Sequence, residues 1–223
     1  MGSNRQLHSQ DGFTFGVYES LPKGELKASL VVIQEIFGVN NHMREVADGF
    51  AAEGYAAIAP QIFDRAKRGV ELGYGPEDMA AGFKLAFTDV PREQIMQDLQ
   101  ATVEECSKYG PVGVVGYCFG GLLTWLSVCD LEGVDCGVVY YGGGIANELD
   151  RTPKCPILMH FGELDSFIPL SDIDKIKTAQ PDAQVHVYPA DHGFNCDHRE
   201  SFDSTSATLA KSRSLEFFQN HLG

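Results

Sequence analysis

Residues 113–121 read GVVGYCFGG, and in this stretch a buried-strand pattern gives way to a helical one. Gly116 and Gly120 flank Cys118 at a distance of two residues, so the segment matches G-x-S-x-G with sulfur in place of the hydroxyl. Such a strand-turn-helix holds its nucleophile in a strained conformation that needs small neighbours. The following helix N-terminus favours a thiolate and a developing oxyanion. The pattern indicates a nucleophilic Cys118, although a buried structural cysteine also fits the motif taken alone.

Apolar, β-branched runs alternate with segments of helical period along the rest of the chain. The predicted strands span 14–18, 30–36, 55–59, 112–117, 137–141, 157–161 and 185–188. The predicted helices span 43–53, 77–87, 92–109, 119–129, 171–179 and 204–221. Several strands are too uniformly apolar to have a solvent-facing side, which is typical of a mostly parallel sheet. We therefore predict one α/β domain over residues 1–223, a doubly wound sheet with helices on both faces.

Composition excludes several classes of partner. The 223 residues include 31 acidic and 17 basic side chains, and the net charge of -14 repels nucleic acid and anionic membranes. No apolar stretch approaches the ~18 residues of a membrane span, and the first residues have no apolar signal core. We predict a cytoplasmic protein, a monomer or small homo-oligomer, that acts on a small molecule without nucleic-acid or membrane partners.

The six cysteines form no C-x-x-C pair, which favours reduced thiols over a zinc site or a disulfide framework. His192, Cys196 and His198 form H-x3-C-x-H, but that is not an established zinc spacing. No metal site and no cofactor are therefore predicted.

Two further residues complete a candidate triad. Asp165 follows the predicted strand 157–161, at the edge where ligand sites of open α/β sheets gather. His192 follows the last predicted strand and can reach the same edge, accept the thiol proton and be oriented by the carboxylate. Taken alone, Asp165 also fits a turn or a helix cap. The order Cys118, Asp165, His192 is the order of nucleophile, acid and histidine that this architecture uses.

Five ordered segments resemble the dienelactone hydrolase family of α/β-hydrolases. They are VVIQEIFGVN at 31–40, GYAAIAPQIFDR at 54–65, GVVGYCFGG at 113–121, HFGELDSFIP at 160–169 and YPADHGFNCDHR at 188–199. The resemblance runs from about residue 11 to the carboxyl terminus without a large insertion. It implies an α/β-hydrolase fold with no large cap domain, and hydrolysis of small esters or lactones through a thioester acyl-enzyme.

The resemblance also implies residue roles. Cys118 would be the nucleophile, His192 the general base and acid, and Asp165 the residue that orients the imidazole. The backbone N–H groups of Ile36 and Phe119 would form the oxyanion hole. In the family, the carboxylate at the position of Glu35 lies near the thiol and helps control its ionisation, and burial would raise its pKa. The plainer interpretation of Glu35 is a strand-end charge in water.

The pocket region matches the family less well. Members that cleave dienelactones hold the substrate carboxylate with two arginines and a tyrosine, and the matching positions here are Met79, Cys196 and Phe83. The candidate replacement cations are Arg65, Arg68 and Arg199. We expect Phe37, Phe83, Phe119 and Phe194 to form an apolar pocket wall, with Arg199 beside it. Segment 61–76 fits either a loop over the site or a plain surface excursion.

Three other functions remain open at this point. A broad carboxylesterase or thioesterase could use the same residues on another small acyl substrate. Glutamine amidotransferase-like enzymes also use a cysteine in such a turn, but their histidine is followed two residues on by a glutamate, where this chain has Phe194. A non-enzymatic binding module on a hydrolase fold would be expected to carry a broken triad, whereas all three members are present.

Overall fold

One eight-stranded sheet organises the computed structural model, which describes residues 2–223. Its strands are β1 (Ser3–His8), β2 (Thr14–Ser20), β3 (Ala28–Ile33), β4 (Tyr55–Pro60), β5 (Val112–Tyr117), β6 (Cys136–Tyr140), β7 (Ile157–Gly162) and β8 (Gln184–Tyr188). Their spatial order is β1-β2-β4-β3-β5-β6-β7-β8. Strands β3 to β8 pair in parallel, while β1 and β2 add an antiparallel edge. The predicted mostly parallel α/β sheet is confirmed.

Six α-helices within the described residues cover the sheet. They are α1 (Asn41–Ala52), α2 (Pro76–Lys84), α3 (Arg92–Cys106), α4 (Phe119–Asp130), α5 (Leu170–Ala179) and α6 (Ser204–Leu222). Every residue of β3, β4 and β5 is buried, as expected for strands covered on both sides. None of the helices between residues 2 and 223 combines the length and the apolar character needed to span a bilayer.

Local sequence sets where several helices begin. The Asn40 side chain accepts a hydrogen bond from the Met43 N–H at 3.2 Å, which caps α1. Asp203 caps α6 in the same way through the Ser206 N–H at 2.7 Å. Pro76 occupies the first turn of α2, where its missing N–H costs nothing. The predicted helix 77–87 is α2 continued by a π-helical turn, Leu85–Asp89.

Two strand predictions need correction. β1 was missed because its residues are mostly polar and exposed, with Leu7 alone buried, so the strand has no apolar run to mark it. β3 ends at Ile33, three residues before the predicted boundary at 36, because the buried Ile36 belongs to the loop that follows. That loop, residues 34–38, passes beside the turn between β5 and α4.

Close backbone packing forces the turn at Cys118. Cys118 has φ 56° and ψ -114°, a conformation that few residues other than glycine adopt. A Cβ atom at Gly116 would lie 2.0 Å from the Gly120 carbonyl oxygen. A Cβ atom at Gly120 would lie 2.4 Å from the carbonyl oxygen of Ile33 at the end of β3. The two glycines therefore let β5, α4 and the end of β3 meet at one point.

Replacing Gly120 with alanine should lower the free energy of unfolding by about 1–3 kcal/mol, because the new methyl group meets backbone that cannot move aside. The matched control is Gly49→Ala in α1, where an added Cβ meets nothing within 4 Å. That change should raise the free energy of unfolding by about 0.4–1 kcal/mol through the unfolded chain. Urea unfolding of both variants tests the pair, and a Gly120→Ala protein as stable as the wild type would contradict the packing argument.

Candidate active site

Cys118 stands between the end of β5 and the first residue of α4. Its N–H donates to the Tyr140 carbonyl at 3.0 Å, and its carbonyl accepts from the Gly121 N–H at 2.9 Å. The next ten residues, from Phe119 to Val128, are all buried. The core therefore holds in place the helix that fixes the turn. The half-buried thiol is therefore presented at the N-terminus of a helix that is packed into the core.

Asp165 and His192 form a buried pair at the carboxyl ends of β7 and β8. His192 Nδ1 lies 2.7 Å from Asp165 Oδ2. The other oxygen of Asp165 accepts hydrogen bonds from the N–H groups of Phe167 at 2.8 Å and Ile168 at 3.2 Å. Both side chains of the pair are almost completely buried. The carboxylate is thus fixed by its own loop and in turn fixes the orientation of the imidazole.

The ionisation of His192 reflects its neighbours. Burial on its own would lower the pKa of His192, but the charge of Cys118, together with hydrogen bonds to Asp165 and Cys118, outweighs burial and raises the pKa to about 10. Tyr141 and Phe167 flank the ring, with centroids 5.1 Å and 5.3 Å from it. This environment favours a protonated imidazole at His192.

A cavity of about 440 Å³ opens over these residues. The sequence-predicted residues on its wall are Ile36, Phe37, Phe83, Cys118, Phe119, His192 and Arg199. Phe119 is the first residue of α4, so its N–H has no partner one turn earlier in the helix and is free to bind an anion. Ile36 and Phe119, the two residues expected to donate from the backbone, thus lie on the same wall as the thiol.

Phe194 does not belong to the pocket wall, contrary to the sequence prediction. The cavity lining found among residues 2–223 leaves it out, and its side chain is fully buried. Phe194 packs against Tyr141 and Tyr188, with ring centroids 5.4 Å and 5.2 Å away. It supports the loop of His192 from the core side, a position that periodicity cannot distinguish from a pocket-facing one.

Sequence reasoning missed two aromatic residues on the wall. Phe87, in the π-helical turn after α2, stacks on Phe83 at 5.8 Å and meets the edge of Phe119 at 5.1 Å. Phe167 lies against His192 and is 60% exposed, so it stands at the cavity mouth. Their sequence signals are weak: Phe87 follows Phe83 at helical spacing, and Phe167 follows Asp165 by two residues.

Glu35 is buried behind the wall rather than hydrated at a strand end, so the plainer sequence interpretation is wrong. It is 1% exposed, and its Oε1 accepts a hydrogen bond from Arg199 Nη1 at 3.4 Å. Its Oε2 has no hydrogen-bond partner within residues 2–223. The guanidinium of Arg199 lies 5.7 Å from the ring centroids of both Phe37 and Tyr74. Arg199 therefore joins a buried carboxylate to the cavity surface.

The other candidate cations lie away from the cavity. Arg65 is held by hydrogen bonds to Asp98 and Asp11, between 2.8 and 3.2 Å. Arg68 is exposed and donates to the carbonyl of Thr14. Neither lines the cavity. Sequence reasoning did not consider Arg92, which does line it and donates to Glu148 at 2.6 Å.

Segment 61–76 packs beside the site without covering it. Its Leu72 N–H donates to the Phe37 carbonyl at 2.9 Å, and Tyr74 meets the Phe37 ring edge-on at 4.7 Å. Cys196, buried nearby, donates to the Tyr74 hydroxyl at 3.3 Å. Burial raises the pKa of the Cys196 thiol to about 12. His192 contacts Asp165, Cys196 contacts Tyr74 and His198 contacts Glu45, so the three side chains do not form a shared ligand set.

Comparison with known proteins identifies one family. Residues 15–222 match the model of the dienelactone hydrolase family. The chain is 38% identical over 213 residues to a proposed carboxymethylenebutenolidase of Synechocystis sp., with 86% of each chain covered. It is 34% identical to the carboxymethylenebutenolidase of Pseudomonas putida, covering 95% of this chain and 93% of that one. The crystal structure of a proposed dienelactone hydrolase from Klebsiella pneumoniae superposes with a TM-score of 0.84 at 28% identity, covering 98% and 99% of the two chains.

Replacing Cys118 with alanine should lower the pKa of His192, because the negative charge that favours the imidazolium is removed while burial of the ring remains. NMR titration of the His192 ring nitrogens measures this shift. Cys155→Ala is the matched control, since Cys155 is half-buried before β7, at the opposite end of that strand from Asp165. An unchanged His192 titration in Cys118→Ala would show that the thiol and the imidazole are not coupled.

Proposed function

This chain belongs to the dienelactone hydrolase family, and we propose that Cys118, His192 and Asp165 are its catalytic triad. The chain is accordingly a hydrolase of ester or lactone bonds. The observation that carries the triad is the 2.7 Å contact between Asp165 and His192, placed so that His192 and Cys118 line one cavity. The order of the three residues along the chain agrees with the order that this architecture uses.

Acylation begins with the sulfur of Cys118. The thiolate attacks the carbonyl carbon of the substrate, a C–S bond forms, and the carbonyl electron pair moves to oxygen. The N–H groups of Ile36 and Phe119 donate to this oxyanion. When the oxyanion collapses, the C–O bond breaks and protonated His192 gives its proton to the leaving alkoxide. In a lactone the leaving alkoxide stays attached to the acyl group, so the acyl group and the alcohol remain parts of one thioester intermediate.

Deacylation returns the enzyme to its starting state. His192, now neutral, accepts a proton from water, and the resulting hydroxide attacks the thioester carbonyl. The second oxyanion uses the same backbone donors, the C–S bond breaks, and Cys118 leaves as a thiolate beside the imidazolium. The high pKa of His192 favours this final ion pair, while Asp165 holds the ring through both proton transfers.

The cavity indicates a small acyl substrate with an apolar part. Phe37, Phe83, Phe87 and Phe119 supply most of its aromatic wall. Arg199 is the cation placed to meet a substrate carboxylate, which would compete with Glu35 for the guanidinium. An anionic lactone is therefore the first substrate class that we propose.

One observation favours a second candidate, a carboxylesterase or thioesterase that acts on uncharged acyl groups. Both arginines on the cavity wall already have carboxylate partners: Arg199 has Glu35 at 3.4 Å, and Arg92 has Glu148 at 2.6 Å. Paired in this way, they present little net positive charge to a substrate. The mechanism would be the same, and only the substrate would differ.

Two of the alternative functions lose support. In the amidotransferase arrangement Asp165 would have no role, whereas here it holds the catalytic imidazole directly. A non-enzymatic binding module has no need for a strained cysteine beside a buried His–Asp pair. The retained strain at Cys118 supports an enzyme.

Replacing Cys118 with alanine should lower kcat by at least about a thousandfold on p-nitrophenyl acetate or a dienelactone, because no nucleophile remains. The Cys155→Ala protein should keep wild-type rates. Mass spectrometry of the quenched wild-type reaction should find one acetyl group, located on the peptide that contains Cys118. Turnover that persists in Cys118→Ala would refute the covalent mechanism.

Alanine substitution of Arg199 separates the two substrate classes. If an anionic lactone is the substrate, Arg199→Ala should raise its KM by about tenfold or more, the loss of one charge-assisted hydrogen bond, while KM for p-nitrophenyl acetate stays within about twofold. Arg68→Ala, a change at an exposed arginine away from the cavity, is the control. Equal effects of Arg199→Ala on both substrates would favour the uncharged acyl group and leave the triad untouched.

A further inference from the structure

A second group of ligand-type side chains lies outside the cavity of Cys118. His42 and Glu45 come from α1, and Asp197 and His198 come from the loop after β8. One ligand atom of each residue lies within 4.8 Å of the corresponding atoms of the other three. His198 Nε2 is 2.7 Å from Glu45 Oε2 and 3.8 Å from Asp197 Oδ1, and His42 Nδ1 is 3.3 Å from Asp197 Oδ1. Two imidazoles and two carboxylates thus face one point.

His42 is the residue that ordinary packing leaves unexplained. It is 3% exposed, yet neither ring nitrogen makes a hydrogen bond within residues 2–223, and its approach to Asp197 lacks hydrogen-bond geometry. The buried His160 is different, because its two nitrogens lie 2.8 Å from Tyr188 Oη and 3.0 Å from Ser214 Oγ. Burial of a polar group without a partner costs free energy, so the imidazole lone pair of His42 points to a bound ligand.

We propose that His42, Glu45, Asp197 and His198 form a binding site for a divalent cation of the Zn²⁺ class. Zn²⁺ binds imidazole nitrogen and carboxylate oxygen at about 2.0–2.2 Å, so ligand atoms in a tetrahedral site are about 3.3 Å apart. Three of the six ligand-atom separations, 2.7, 3.3 and 3.8 Å, bracket that value, and all six lie within 4.8 Å, so side-chain rotation would be needed to close the tetrahedron. Two carboxylates also balance the charge of the cation.

The site is open to solvent on one side. Glu45 and Asp197 have side chains about 60% exposed, and the His198 side chain is 34% exposed. A second cavity, of about 260 Å³, is lined by His42, Glu45 and Asp197. A cation can therefore enter without rearrangement of the core, and the net charge of -14 attracts it.

The sequence prediction of no metal site did not weigh this set. Glu45 and His198 are 153 residues apart, so the ligands have no spacing that a motif could reveal. A bound cation would join α1 to the loop that carries His192 and Arg199. It would act as a brace on that loop rather than as a participant in ester cleavage.

The test measures Zn²⁺ binding to the full chain in a Cys118→Ser/Cys155→Ser background, which removes both half-buried thiols as competing ligands. Isothermal titration should find one Zn²⁺ per chain, with an affinity that falls at least about tenfold in His198→Ala and in Glu45→Gln. Both changes are at exposed side chains, so the proteins should fold. His8→Ala, a change at an exposed histidine on β1, should bind as tightly as its parent.

Two further readouts identify the ligands. Zn²⁺ should raise the Tm of the parent but not that of His198→Ala, since a ligand that binds only the folded state stabilises it. Bound Co²⁺ should give a tetrahedral visible spectrum without the near-ultraviolet band of thiolate coordination. The proposal is overturned if Zn²⁺ does not bind, if His198→Ala and Glu45→Gln bind as the parent does, if the thiolate band appears, or if Ca²⁺ binds as tightly as Zn²⁺.

Discussion

The close approach of three backbone segments around Cys118 is the constraint on which the site depends. The end of β3, the end of β5 and the start of α4 meet with no room for a side-chain carbon at Gly116 or Gly120. That packing sustains the positive φ of Cys118, which the isolated peptide would not favour. It also places the loop of Ile36 beside Cys118. The strain is therefore maintained by the same contacts that assemble the proposed oxyanion hole.

Two buried acid–base pairs extend this arrangement outward. Asp165 holds His192 on one side of the thiol, and Arg199 holds Glu35 behind the pocket wall on another. A buried charge is tolerated only when it is paired, so each pair persists as a unit. A substrate that contacts Arg199 would therefore alter the hydrogen bond between Arg199 and Glu35. An apolar wall could not connect the pocket to the interior in this way.

The sequence predicts the centre of the site better than its edges, for physical reasons. The turn at Cys118 leaves a local signature, because buried strands are uniformly apolar and close backbone packing requires glycine. Asp165 and His192 follow recognisable strands, so topology brings them to one sheet edge. The inward orientation of Phe194, the presence of Arg92 on the cavity wall and the surroundings of His42 depend on long-range packing. Long-range contacts produce no periodic pattern in the sequence.

The position of β8 in the sheet affects how the enzyme loses activity when it unfolds. β8 is an edge strand that pairs with β7, and most of its residues are partly exposed. His192 follows it by four residues, whereas Cys118 follows β5 in the interior of the sheet. Edge elements with few buried contacts open at a lower free energy than the core. Local opening of this edge would move His192 away from Cys118 while the interior of the sheet stays folded, so we expect activity to be lost before global unfolding.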